Sequence, residues 1–446
     1  LVLTLSSISG SKMNWLRNKS ITILFYGIFI LLLIPWIQSV LNIAYEKPLS
    51  GAIKEPVETE FTFTGWFSGE FQSKHEEYIN ESFGFRNFFV RLNNQLAFNL
   101  FNKAKANGVI VGKDNYLYEL NYLLAYSGKD FIGEDSIRQN IERLKFIQEE
   151  LGKRNKTVLL VLAPGKASFY PEFIPDEYLQ TDNPTNYKLY AKLSNDFGIN
   201  TIDFNSYFIS QKESSEYPLY PKGGIHWSHY GMCMALDSIV HRLEKLRNEN
   251  LTEIYWDNVR MDLPNEVDND IANGMNLLFT PCKDSMAYPE IIIKEEDVAV
   301  KSSAVVIGDS FYWDMYNLTP RVFNENHHFW YYNKEGFPPE AGSPVNVDNL
   351  NFQQELEQHN IFMILCTEAN LSRLGWGFID RAYEALKNGS ANEVPDFAKK
   401  VEETKNYIRS DKKWMEVIIQ KAKEQGISAD SMLTLDAIWV VNEQNK

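Results

Sequence analysis

Ala304-Val305-Val306-Ile307-Gly308-Asp309-Ser310-Phe311-Tyr312-Trp313 is the stretch around which the chain can be read. Its β-branched run predicts a buried strand. Gly308 is expected to end that strand where the backbone turns sharply, which places Ser310 in the first turn of whatever follows. If a helix begins there, its free N–H groups and positive dipole end face the space above the serine hydroxyl. Acyl transfer needs this arrangement, a nucleophile with donors aimed at a developing oxyanion. Strand-Gly-Asp-Ser also begins ordinary helices, so the rest of the chain has to decide.

Working outward, Thr157-Val158-Leu159-Leu160-Val161-Leu162-Ala163 is a continuous apolar run, the mark of a strand buried on both faces. Gly198 to Asp203 and Ile361 to Cys366 read as further strands. Helices are predicted between them: Asp135 to Leu151, with Ile137, Ile141, Leu144, Ile147 and Leu151 on one side and Gly152 as its stop, then Tyr187 to Leu193, and a run from His226 through Val240. Gly108 to Tyr118 reads as a hairpin turning at Lys113-Asp114-Asn115. Strands alternating with helices predict an α/β fold, a parallel sheet covered on both sides in three layers. Ligands in such sheets collect outside the carboxyl ends of the strands. Ser310 and Glu368 directly follow strand ends, and Lys166 lies a little further along its loop.

From Ser20 to Leu41 no residue is charged, and the run has the length needed to cross a hydrocarbon core. Lys12, Arg17 and Lys19 precede it, so the positive-inside rule puts residues 1–19 in the cytoplasm and everything after Leu41 outside. No small-x-small cleavage site follows cleanly, which favours an uncleaved signal anchor over residues 20–41. Met13 is the candidate natural start. Residues 42–60, with Pro48 and Pro56, read as a tether. Residues 61–377 are read as one α/β domain, with Trp66 and a Phe-rich pair of helical runs broken at Gly84-Phe85-Arg86. Residues 378–446 are read as a helical extension, with Phe378, Ala382, Ala385 and Leu386 in one run and Trp414, Val417, Ile418 and Ala422 in another.

The 446 residues carry a net charge of −15, which argues against a nucleic-acid partner. An apolar content of 44% is ample for a large core. Cys233, Cys282 and Cys366 are odd in number and fit no metal spacing, so neither a disulfide framework nor a metal is expected. His226 sits in Tyr217-Pro-Leu-Tyr-Pro-Lys-Gly-Gly-Ile-His-Trp-Ser-His-Tyr230, after a Pro-Gly loop and at the mouth of a helix. An imidazole there suits a general base, although a loop histidine is more often structural. His226 with His229, and His327 with His328, are too unspecific for a metal site. Ser310 after a strand and His226 opening a neighbouring helix can converge on one crevice, as a serine–histidine pair requires.

In order, Trp66-x-x-Gly69, Phe83-Gly84-x-Arg86, Gly112-Lys113-Asp114-x-x-Leu117, His226-Trp227-Ser228 and Gly308-Asp309-Ser310-Phe311 resemble the alginate O-acetyltransferases of the AlgX/AlgJ type, which are SGNH-hydrolase-like proteins. The resemblance covers roughly Phe61 to Gly377. It implies an extracytoplasmic enzyme, periplasmic or extracellular, that moves acetyl groups onto hydroxyls of a secreted or cell-envelope polysaccharide without a cofactor. It also implies a membrane-bound O-acyltransferase as partner to supply the acetyl group. Ser310 matches the nucleophile and His226 the base. The family has Asp two residues before that histidine, and Gly224 stands there in this chain. Substitutes for this acid are Glu368, Asp309, Asp203 or a backbone carbonyl of the Pro221-to-Gly224 loop. Tyr312, Lys166, Thr367, Asn370 and Trp227 are candidates for substrate binding. An O-acetylesterase, and a silent glycan-binding or scaffold member of the family, stand as alternatives, the latter because of Gly224.

Overall fold

A computed structural model describes residues 2–51, 57–179, 183–294, 301–340, 342–388, 396–425 and 429–444. The chain divides into two units, Leu1–Lys105 with Asn273–Phe279, and Ala106–Ala272 with Thr280–Lys446.

The first unit opens with α1 (Val2–Leu41). Its segment Lys19–Leu41, 23 residues with mean hydropathy 2.3, is long and apolar enough to cross a membrane. Three further helices follow: α2 (Phe63–Ser68), α3 (Glu70–Ser82) and α4 (Arg86–Phe101). The expected break between the last two falls at Phe85, which adopts φ +62°. Residues 46–48 of the expected tether are held by hydrogen bonds. The Glu46 carboxylate accepts from the N–H groups of Phe85 (2.6 Å) and Asn87 (3.2 Å), and Arg91 donates to the carbonyls of Lys47 and Pro48. Residues 52–56 of that tether, Pro56 included, lie outside the described residues.

The second unit begins with the expected hairpin, β1 (Val109–Val111) against β2 (Leu117–Glu119). Next come α5 (Leu120–Tyr126), α6 (Glu134–Gly152), β3 (Thr157–Ala163), α7 (Lys166–Phe169), α8 (Asn186–Asp196), β4 (Thr201–Asp203), α9 (Phe204–Gln211) and α10 (His229–Arg247). The chain continues through β5 (Glu253–Asp262), α11 (Asp270–Gly274), β6 (Met286–Lys294), β7 (Ala304–Gly308), α12 (Trp313–Tyr316), β8 (His327–Tyr331), β9 (Glu335–Glu340) and β10 (Ser343–Asn346). It closes with α13 (Phe352–Gln358), β11 (Ile361–Thr367), α14 (Phe378–Asn388), α15 (Asp396–Ser410), α16 (Lys412–Gln425) and α17 (Ala429–Gln444).

The main sheet runs β10-β9-β8-β7-β11-β3-β4. Its strands β8, β7, β11, β3 and β4 are parallel, as alternating strands and helices predict. Every residue of β3, β7 and β11 is buried, which is why these strands read as unbroken apolar runs. One face of the sheet packs Val158, Leu160, Val305, Ile307, Phe362 and Ile364 on α6, α8 and α14, and α9 packs on β3. This is an α/β architecture, a largely parallel sheet with helices packed against it.

Two departures are antiparallel. Strands β9 and β10 extend the β8 edge, and β5 pairs with β6 in a separate two-stranded sheet. A third concerns the expected C-terminal extension. Phe378, Ile379, Ala382 and Ala385 of α14 belong to the main core, whereas Ile408, Ile418, Ala422, Met432, Leu433 and Ala437 of α15 to α17 make a core of their own.

Candidate active site

Gly308 closes β7 instead of turning out of it. A Cβ there would lie 3.3 Å from the Leu365 carbonyl oxygen, so the glycine lets β7 and β11 approach. The turn comes one residue later. Asp309 caps a single 3-10 turn, Ser310–Tyr312, that leads into α12. The Asp309 carboxylate accepts from the Thr367 N–H (2.8 Å), the Thr367 hydroxyl (2.7 Å), the Asn370 amide (2.9 Å) and the Phe311 N–H (3.2 Å). Burial raises its pKa, and these hydrogen bonds oppose the shift. Asp309 thus bolts the serine turn to the end of β11.

The other half of the site is the loop before α10. Ser228 caps that helix, its hydroxyl accepting from the Gly231 N–H at 2.9 Å, so His226 stands just outside the first turn. Lys166, wholly buried, donates from Nζ to the carbonyls of Lys222 (2.9 Å) and Gly224 (2.5 Å). Desolvation brings its pKa down to about 7, opposed by the charges of Asp270, Cys282 and Glu119. The Ala272 N–H donates to the Gly223 carbonyl at 2.9 Å.

These supports bring the two motifs together. His226 Nε2 lies 2.8 Å from Ser310 Oγ, and Nδ1 lies 2.7 Å from Asp270 Oδ2. The imidazole is 16% exposed, so it still reaches solvent. Asp270 Oδ1 accepts from the N–H groups of Ile225 (2.9 Å) and Ile271 (2.6 Å), which fixes the carboxylate and leaves Oδ2 for the imidazole. Desolvation pulls the His226 pKa down. The hydrogen bond and charge of Asp270, with the charges of Asp314 and Asp309, outweigh that pull, and the net shift is upward from 6.5. Asp314 is itself pushed up to about 6, mainly by burial.

Asp270 was not read from the sequence. An aspartate opening a five-residue helix, 44 positions after its partner, has no mark separating it from an ordinary cap. Gly224 has a physical reason. A Cβ there would lie 2.7 Å from the carbonyl oxygens of Val267 and Asp268, so the residue stays small where the segment carrying Asp270 crosses the loop.

The other acids lie elsewhere. Glu368 accepts from Ser168 Oγ (2.9 Å) and lies 3.5 Å from Asn205 Nδ2, with burial raising its pKa to about 7. Asp203 accepts from the Tyr187 hydroxyl and caps α9 through Ser206. Asp309 faces β11. None of the three bonds the imidazole. The residues expected to bind substrate are buried and committed internally: Tyr312 to His327 Nε2 (2.7 Å), Thr367 and Asn370 to Asp309, and Lys166 to the histidine loop. Trp227 packs among Phe204, Phe208 and Phe311.

Residues 109–264 match a family model described as "SGNH hydrolase-like domain, acetyltransferase AlgX". The matched segment holds His226 and stops before Asp270 and Ser310. The chain is 23% identical over 172 residues to the probable alginate O-acetylase AlgJ of Pseudomonas syringae pv. tomato, covering 39% of this chain and 42% of that protein. It is 23% identical over 193 residues to the probable alginate O-acetylase AlgJ of Pseudomonas aeruginosa, covering 43% and 46%. The chain thus spans less than half the length of these relatives. Among solved structures it is similar to the O-acetyltransferase domain of Pseudomonas putida AlgJ, with a TM-score of 0.40, 14% identity, and coverage of 64% of this chain and 100% of that one. The family model and the two AlgJ relatives agree with the resemblance read from the ordered motifs.

Proposed function

We propose that the chain is a membrane-anchored O-acetyltransferase whose main domain lies outside the cytoplasm and acetylates hydroxyls of a secreted or cell-envelope polysaccharide. The observation that carries this reading is the contact series from Asp270 through His226 to Ser310. The Ser310 hydroxyl gives its proton to His226 Nε2 as Oγ attacks the acyl carbonyl carbon. The bond from that carbon to the donor oxygen breaks, and the leaving oxygen takes the proton from Nε2. A glycan hydroxyl then gives its proton to Nε2 and attacks the acyl-serine, and Ser310 leaves reprotonated. Asp270 holds the Nδ1–H tautomer and stabilises the imidazolium in both halves. The Ser310 N–H, in the first turn, is the proposed oxyanion donor, joined by loop donors.

With the domain outside the membrane, the acetyl group has to be handed across it. A membrane-bound O-acyltransferase is the proposed partner for that step. The silent reading rested on the glycine at 224, and Asp270 offers the imidazole the carboxylate that reading lacked. The test is the ester content of the polymer in cells carrying Ser310→Ala, with the variant's abundance and Tm matched to the parent. Loss of acetylation is expected, and unchanged acetylation overturns the proposal. Supplying purified protein with acetyl ester, with and without glycan, separates transfer from hydrolysis to water.

A further inference from the structure

His327 and His328 point to opposite faces of β8, as successive strand residues do. His327 is spoken for by the Tyr312 hydroxyl. His328 shares the other face with Trp330, under α13, whose Phe352 and Leu356 join the core there. On that helix and just beyond it, Glu355 and His359 stand one turn apart and meet His328. His359 Nε2 lies 3.0 Å from Glu355 Oε2, and His328 Nδ1 lies 3.5 Å from the same oxygen. One ligand atom from each residue falls within 4.8 Å of the other two. The two imidazole ring centroids lie 4.9 Å apart, their planes inclined at 63°.

We propose that His328, Glu355 and His359 form a binding site for a divalent transition metal of the zinc type. Two imidazoles and a carboxylate are the donors such ions take, whereas calcium and magnesium prefer oxygen alone. The observed separations are close to those between ligands on one zinc, where each bond is about 2.0–2.2 Å. Burial is uneven: His359 is wholly buried, Glu355 nearly so, and His328 is 31% exposed. The cluster therefore has one open side, where a fourth ligand can be water. His359 Nδ1 is buried without a hydrogen-bond partner among the described residues, so the ring's polar contact is through Nε2, the nitrogen that faces Glu355. Lys156 Nζ, 2.7 Å from the carbonyls of both Glu357 and His359, fixes the backbone at this corner.

The site lies away from the chemistry. His328 pairs in register with Val305, near the start of β7, while Ser310 follows the far end of that strand. A metal here would clamp β8 to α13 and the start of β11, a structural role that does not depend on the proposed acyl transfer. The test uses the full chain in detergent, free of tag histidines, stripped with EDTA and titrated with zinc chloride. One saturable equivalent per chain and a raised Tm are expected. His328→Ala and Glu355→Gln should each weaken binding by at least about tenfold, with Tm in EDTA reporting that the variants fold. His241→Ala, which removes an exposed histidine paired with Asp237, should leave binding unchanged. Absence of a saturable equivalent, or one that survives both ligand substitutions, overturns the proposal.

Discussion

Asp270→Asn keeps the size of the side chain beside His226 and removes its charge, so it isolates what the carboxylate contributes. The expected outcome is a fall in kcat of roughly 10³- to 10⁴-fold, from loss of the correct tautomer, with KM for the acyl donor little changed. The pH profile supplies a second readout. His226 must be neutral to accept the serine proton, and its pKa is shifted upward from 6.5. Activity should therefore fall as pH drops through a value above 6.5, read from the acid limb of kcat/KM. In Asp270→Asn the two leading upward contributions, both from Asp270, go while burial and the smaller pulls of Asp314 and Asp309 stay, so the limb should move to lower pH. The same shift gives stability that is fully present below pH 6.5 and is lost as pH rises through the folded-state value. Ser310 and His226 were legible because each sits in a local pattern, a strand end or a helix mouth. Asp270 was not, since its role comes from a chain crossing that no spacing encodes.

At the scale of elements, the site depends on two joints. In the first, the segment before α11 crosses the His226 loop at Gly224. Gly224→Ala would force a methyl against the carbonyls of Val267 and Asp268, and since these are backbone atoms the segment has to shift. An activity loss approaching that of Asp270→Asn is expected. The double change Gly224→Asp with Asp270→Ala should not restore activity, although it puts an aspartate two residues before the histidine, because the space is taken. In the second joint, Asp309→Asn turns an amide toward the donors of Thr367 and Asn370. A stability loss of about 1–3 kcal/mol is expected by denaturant unfolding. Strands buried on both faces were legible as apolar runs. The β9–β10 edge, with Pro338 and Pro339 and mostly exposed side chains, carries no apolar run, and the β5–β6 pair holds only the short runs Ile254–Trp256, ahead of a bulge, and Ile291–Ile293, too brief for periodicity to register.

At the scale of the whole molecule, the chain combines an apolar helix, the sheet and a terminal helical cluster. A chain starting at Tyr45 should leave the membrane fraction, and protease added to intact spheroplasts should cut the full protein if its main domain faces outward. The terminal helices are expected to separate by core. Ending the chain at Asn388 removes α15 to α17 with their own cluster and should leave a cooperative unfolding transition. Ending it at Gly377 strips Phe378, Ile379 and Ala382 from the main core, where truncating one large side chain already costs about 3–5 kcal/mol, and should abolish that transition. Two of these helices, α14 and α16, were legible as apolar runs, but not which core each one joins, because an amphipathic stripe does not name its partner.

The most direct measurement is peptide mass spectrometry after brief exposure of the protein to an activated acetyl ester. An acetyl group on Ser310, absent in Ser310→Ala and formed far more slowly in Asp270→Asn and His226→Ala, is the predicted result. A folded protein that carries no acetyl group on Ser310 with any of several acyl donors, or that acetylates at an unchanged rate without Asp270 and His226, would contradict the account.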